Sequence, residues 1–310
     1  MPFLRILRNP DLAVDLGTAV ARVGAALAPG FVERPARIGA DFALRNGVVI
    51  NPEIAAEVLR GLFRRFQRLG CKERRALTCA PSDASESEIQ DRRRALHLAG
   101  VSEVYVAPEP LAAAIGAQID VGSKNASLVV DFGEGVTDCA VIAEGQIIAS
   151  NAVRGGCCSL RKEVIGAAEK QAGLRMDDDE AERLLRHVGL PDAQPPVPSI
   201  VLASAVANRD AVARKHAIRS SIISDAICHV ADAALCAAAE FVRSIDARRG
   251  AEIVENGVVL TGGGALIPGM AERLACMLKL PVRVPPAPLE SVILGARQML
   301  AVADAAGLWE

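Results

Sequence analysis

Aromatic side chains are scarce: one Trp, one Tyr and seven Phe in 310 residues. A platform that stacks successive bases needs more of them, so single-strand nucleic acid is not an expected ligand. A charge excess is missing too. Lys and Arg number 35 against 37 Asp and Glu, a net charge of −2, and without a basic field no nucleic acid is expected as a partner. No apolar run reaches the roughly 18 residues of a membrane span, and no signal-peptide pattern opens the chain. The eight cysteines include no CxxC pair and no nearby His at metal-ligand spacing. They read as small buried hydrophobes of a reducing compartment, and the vicinal Cys157–Cys158 could close only a strained bridge. What remains reads as a soluble, intracellular chain. It is 51% hydrophobic, long enough for two domains at about 150 residues each.

The amino terminus, MPFLRILRNP, sets Phe3, Leu4, Ile6 and Leu7 beside Arg5 and Arg8 and stops at Pro10. It reads either as a short interfacial anchor on an anionic membrane or as a segment packed on its own domain. One copy of an anchor this short binds weakly, but many copies in one assembly bind by avidity. Beyond it, strand and helix patterns interleave, which makes the class α/β. Strands are expected at Asp11–Leu16, Ala76–Ala80, Val101–Val106, Asn256–Leu260 and Val282–Val284. A β-hairpin of Ala126–Val130 with Ala140–Ala149 is expected to turn at Glu144–Gly145. Helices are expected to start at Asn51–Pro52 and to cover Ser85–Gly100, Pro108–Gln118, 160–189 (in pieces), Ile222–Ala247, Pro268–Met277 and Leu289–Ala301.

Three glycine-containing turns each follow an apolar strand: VDLGTA (Val14–Ala19), VVDFGEGVTD (Val129–Asp138) and VVLTGGGALIPG (Val258–Gly269). A turn without side chains lets backbone N–H groups approach a phosphate chain. Two of the turns carry an acid just before the loop, Asp15 and Asp131. An acid at a strand end beside phosphate suits a hydrated magnesium ion, which keeps its waters and takes few carboxylates. The pattern matches neither GxxxxGK[ST] nor a GxGxxG that opens a helix.

These motifs, in this order, resemble those of the actin, sugar-kinase and heat-shock-chaperone ATPase superfamily, and within it the MreB-like bacterial actins. DLGTA resembles the first phosphate loop, PEPLAAAIGA (Pro108–Ala117) the helix joining two halves, VVDFGEGVTD the second phosphate loop and VLTGGGALIPG the adenosine loop. LRNGVVINPEIA and AERLLRHVGL also look like family segments. The resemblance covers nearly the whole chain. It implies an actin-like ATPase fold of two similar α/β halves around a nucleotide cleft, residues 1–122 with 295–310 forming one and 123–294 the other, with an insert around 175–220.

The resemblance also implies a site. ATP would be the nucleotide, with magnesium facing Asp15 and Asp131 through water. Gly17 and Thr18 would wrap the terminal phosphates, and Gly133, Glu134, Gly135 and Thr137 would form the second turn. Glu182 would reach the ribose, and Gly262, Gly263 and Gly264 would flank the adenine. Glu109 would orient the attacking water, with Asp131 beside it as a second catalytic acid. By its residues alone, Glu109 is equally a helix N-terminal acid favoured by the macrodipole. The implied protein is a weak ATPase that polymerises with itself or with another actin-like subunit. It would lie in the cytoplasm, on the inner face of the cell membrane, and serve cell shape or intracellular organisation.

The chain departs from the family pattern at several points. Val20 and Ala21 stand where Asn and Thr are usual, Glu134 where MreB has glycine, Leu185 where it has lysine, and Cys157 where an acid is usual. The insert of the first half is much shortened, which bears on polymerisation in the usual geometry. Three alternatives follow: a degenerate scaffold that modulates a full-length MreB, a chaperone- or reactivase-like ATPase, and a metabolite kinase.

Overall fold

The strands that lead into the first two glycine turns each lie at the centre of a five-stranded sheet. The computed structural model describes residues 11–26, 30–67, 74–191, 198–207 and 212–306, with only the backbone course of 303–306. The expected anchor residues Phe3, Leu4, Ile6 and Leu7 lie outside the described residues.

In the first half, β1 (Leu12–Leu16) is flanked on one side by β2 (Val20–Ala25) and β3 (Val32–Pro35). Four two-residue strands follow: β4 (Arg37–Ile38), β5 (Asp41–Phe42), β6 (Leu44–Arg45) and β7 (Val48–Val49). They form two tiny hairpins, β4–β5 and β6–β7. Then come α1 (Pro52–Phe63), β8 (Arg75–Ala80), α2 (Glu86–Leu98), β9 (Glu103–Pro108) and α3 (Glu109–Gly116). The sheet order is β3-β2-β1-β8-β9. β1–β2 and β2–β3 are antiparallel, whereas β1–β8 and β8–β9 are parallel.

The second half repeats this plan. It contains β10 (Ser127–Phe132), β11 (Val136–Ala143), β12 (Gln146–Arg154), α4 (Cys157–Ala172), β13 (Leu174–Arg175), α5 (Asp178–Val188), β14 (Ile200–Ala207) and β15 (Arg214–Arg219). It continues through α6 (Ser220–Arg243), α7 (Ala247–Asn256), β16 (Val258–Thr261), α8 (Met270–Leu278), β17 (Val282–Arg283) and α9 (Ser291–Ala306). Its main sheet runs β12-β11-β10-β16-β17, with the same alternation of antiparallel and parallel pairs. Two halves with one strand order put the carboxyl ends of β1 and β10 in equivalent places.

Local chemistry explains the helix starts. Asn51 accepts from the Ile54 N–H at 3.0 Å, and Pro52 needs no N–H in the first turn. Ser85 and Glu88 form a reciprocal capping box ahead of α2. One face of α1 buries Ala55, Val58, Leu59, Leu62 and Phe63 in the first core. Another core, with Ala112, Ala113, Val129, Ala140, Ile293 and Ala296, draws residues from both main sheets and from α3 and α9. Small side chains on α3 let α9 pack closely and tie the chain's end to its first half.

One expectation is corrected. The turn at Glu144–Gly145, expected to join Ala126–Val130 to Ala140–Ala149, joins β11 to β12, and β10 turns back into β11 at Gly133–Gly135. The insert around 175–220, poor in obvious strand pattern, holds β14 and β15. Its pattern is obscure because β14 is apolar on both faces, with Val201 and Ala203 buried while Ile200 and Leu202 are each 59% exposed. And α6 is long and apolar enough to cross a membrane. It reads as a core helix, since Ile223, Ile227, Ala231 and Leu235 are buried in the second core and Asp232 pairs with Arg273 of α8.

Candidate functional site

β1 delivers Asp15 to the end of its sheet, and the chain reverses over Gly17–Ala19, closed by the Gly17 N–H donating to Val20 O at 3.2 Å. β10 delivers Asp131 in the same way, and the Gly133 N–H donates to Val136 O at 2.9 Å. A Cβ on Gly17 or Gly133 would meet that carbonyl oxygen at 2.9 or 2.8 Å, so both turns need glycine for the same reason. The aspartate precedes the glycine by two residues in each case.

The acids converge. Burial raises Asp15 above the ordinary carboxylate range, with Arg22 opposing. Burial also raises Asp131 to about 7, helped by the charges of Asp138 and Asp15 and opposed by a hydrogen bond from Thr261. Glu109, the first residue of α3, is raised well above its usual range by burial and then by Asp131 and Asp15. Its carboxylate bonds to no protein donor among the described residues. Asp138 is raised to about 6 by burial, although Ser82 donates to it twice, from its N–H at 2.7 Å and from Oγ at 2.6 Å.

The Asn46–Gly47 turn between β6 and β7 sits between the two halves. Both residues have positive φ, 48° and 78°, as a two-residue hairpin turn requires. The Gly47 N–H donates to Thr18 Oγ1 at 2.9 Å. Arg154 at the end of β12 donates from Nη1 to Asn46 O at 2.9 Å and grips both oxygens of Asp83 at 2.7 Å. Arg92, buried on α2, donates to Leu16 O at 3.0 Å and Gly47 O at 3.1 Å. Thr137 is buried, and its hydroxyl donates to Gly155 O at 3.2 Å, beneath the second turn.

Away from the acids, an ion-pair chain lines the second half. Arg161 of α4 pairs with Glu134 and, at 3.0 Å, with Glu182 of α5. Glu182 also accepts from Arg186 Nε at 2.7 Å, and Arg186 Nη1 donates to Gly263 O at 2.7 Å. Glu182 and the Gly262–Gly264 turn, expected at one ligand, are therefore linked through Arg186. Gly263 packs against Cys157, which is a free thiol, as is Cys158.

Sequence reasoning missed five arginines here: Arg22, Arg92, Arg154, Arg161 and Arg186. Cross-strand register brings Arg22 to Asp15, and register is not visible in a single strand's sequence. A hydrated magnesium ion fits the acids. Asp15 Oδ1 and Asp131 Oδ2 bond to no protein donor among the described residues. No group of three or more His, Cys, Asp or Glu able to hold a metal directly occurs among the described residues.

Residues 18–307 match the family described as MreB/Mbl protein. The chain belongs to the MreB/Mbl family. It is 29% identical over 272 residues to the cell shape-determining protein Mbl of Bacillus subtilis, covering 86% of this chain and 80% of that one. The fold matches a crystal structure of MreB5 of Spiroplasma citri bound to AMPPNP, with a TM-score of 0.86 at 20% identity over 97% and 98% of the two chains. It also matches the subunit of a MamK double helical filament, with a TM-score of 0.75 at 17% identity over 94% and 98%. The fold is actin-like, and membership of this family makes the chain an actin-like cytoskeletal protein.

Proposed function

We propose that this chain binds ATP in the cleft between its two sheets and assembles into cytoskeletal filaments, with its own copies or another actin-like subunit, on the inner face of the cell membrane. The observation that carries the reading is the pair of equivalent glycine turns, each with its aspartate, facing one another around Glu109. The AMPPNP bound to Spiroplasma citri MreB5 and the MamK filament, both formed by chains of this fold, support it.

In this reading the roles divide between the two halves. Residues 1–122 with 295–310 act as one half and 123–294 as the other. The turns at Gly17–Thr18 and Gly133–Gly135 present backbone N–H groups to the phosphates. Asp15 and Asp131 would hold the waters of a magnesium ion, which would supply positive charge against the phosphates. Thr137 keeps the second turn in shape through Gly155. Glu182 and Gly262–Gly264 take the adenosine end. Glu109, with its carboxylate free of protein donors among the described residues, orients the attacking water. Phosphoryl transfer to water rests on positioning and charge neutralisation, so one such acid suffices for slow turnover. The apolar side chains Phe3, Leu4, Ile6 and Leu7 provide the membrane contact, multiplied by assembly.

High-speed pelleting with ATP, with ADP and without nucleotide, followed by electron microscopy of the pellets, tests the reading. Ordered filaments that depend on ATP support it. Soluble protein under all three conditions contradicts self-assembly and leaves the scaffold reading. Flotation with anionic liposomes, lost on deletion of residues 2–8, tests the membrane contact.

A further inference from the structure

We propose that Arg22 is a built-in counter-cation of the phosphate subsite, so that nucleotide binding to this chain depends only weakly on a divalent metal. The inference rests on the cleft reading above and deepens it. Arg22 lies on β2 directly across from Asp15 in the antiparallel register. Its Nη1 donates to Asp15 Oδ2 at 3.2 Å, and its Nε to Glu33 at 2.9 Å. The side chain is 13% exposed, so the guanidinium beside Asp15 is not fully closed off from solvent.

The donor inventory decides what it can do. A guanidinium has five N–H groups in a rigid fork. One is spent on Glu33 and one on Asp15, and Nη2 bonds to no protein acceptor among the described residues. Donors therefore remain for an anion beside Asp15. Arg92, buried on α2, donates one N–H from each terminal nitrogen to a carbonyl of the first half. Arg154 is committed to Asp83, Glu88 and Asn46. Arg22 is the guanidinium hydrogen-bonded to Asp15, it keeps donors to spare, and Glu33 fixes its aim.

Two effects then lower the need for metal. A positive charge already on Asp15 weakens that acid's pull on a hydrated divalent ion. The same guanidinium offers charge-assisted hydrogen bonds to phosphate oxygens, a part of the neutralisation that a metal would otherwise supply alone.

The test is the affinity of a fluorescent ADP analogue for the full chain in magnesium and in EDTA, compared among wild type, Arg22→Gln and Arg22→Lys. Removal of magnesium should weaken wild-type binding no more than about threefold, and Arg22→Gln by about thirtyfold, the loss of a charge-assisted bond. Arg22→Lys, which keeps the charge, should fall between the two, and melting curves confirm that the variants are folded. An equal loss in wild type and Arg22→Gln overturns the proposal. A wild type that binds no analogue even in magnesium fails at the earlier step and overturns the cleft reading itself.

Discussion

In the first glycine turn Asp15 faces the guanidinium of Arg22. In the second, Asp131 at the equivalent place accepts a hydrogen bond from the neutral hydroxyl of Thr261, at 2.7 Å. The backbones are alike: each turn is closed by a glycine N–H on the carbonyl three residues ahead. One fold unit used twice therefore carries a compensated acid on one side and an uncompensated one on the other. The difference teaches that strand order and turn geometry follow glycine and apolar pattern, while charge balance is set by single cross-strand neighbours.

The sharpest way to probe the meeting of the two turns is Glu109→Gln. If both turns face one phosphate chain with Glu109 between them, phosphate release should slow by about a hundredfold while ATP affinity stays within about twofold. Equal loss of both would remove the role.

Gly135→Ala tests the contact between the turns. A Cβ there would meet Asn46 Cα and Thr18 Oγ1, each at 2.7 Å. Forcing the halves apart should cost about 1–3 kcal/mol in denaturant unfolding. At Gly166, in the middle of α4, a Cβ meets nothing within 4 Å, and alanine there should stabilise by about 0.5–1 kcal/mol.

A third probe separates the two acids by pH. Burial lifts Asp131 from its ordinary 3.8 to about 7, so the folded chain holds that proton more tightly than the unfolded one. The stabilisation is complete below about pH 3.8 and is lost as pH rises through about 7. Without nucleotide or metal, the melting temperature of wild type should fall relative to Asp131→Asn between pH 5 and pH 8, as the carboxylate ionises. Part of the decline should survive in the variant, because Asp138, at about 6, titrates in the same window. A constant difference between the two proteins would mean that Asp131 stays ionised throughout.

The smallest effect serves as a baseline. Arg94 and Glu53 pair at 3.0 Å with side chains 61% and 63% exposed, so Arg94→Ala should change stability by less than about 1 kcal/mol.

Much of the fold is legible in the residues because its signals are local. Asn51–Pro52 and the Ser85–Glu88 box mark helix starts, and the glycine turns with Asp15 and Asp131 mark the strand ends. What stays hidden is what tertiary register decides. Arg22 in a strand reads as a solvated side chain until β2 is laid beside β1. Arg161 and Arg186 read as helix surface until α4 and α5 bring them to Glu182. β14 hides for another reason: Ile200 and Leu202 on its exposed face erase the alternation by which a half-buried strand is recognised.

The central claim, a nucleotide held between the two turns, is tested most directly by isothermal titration of the purified chain with ADP in magnesium. Saturable binding of about one nucleotide per chain, weakened in Asp131→Asn, is the predicted result. No detectable binding in wild type, under conditions where the chain melts cooperatively, would contradict it.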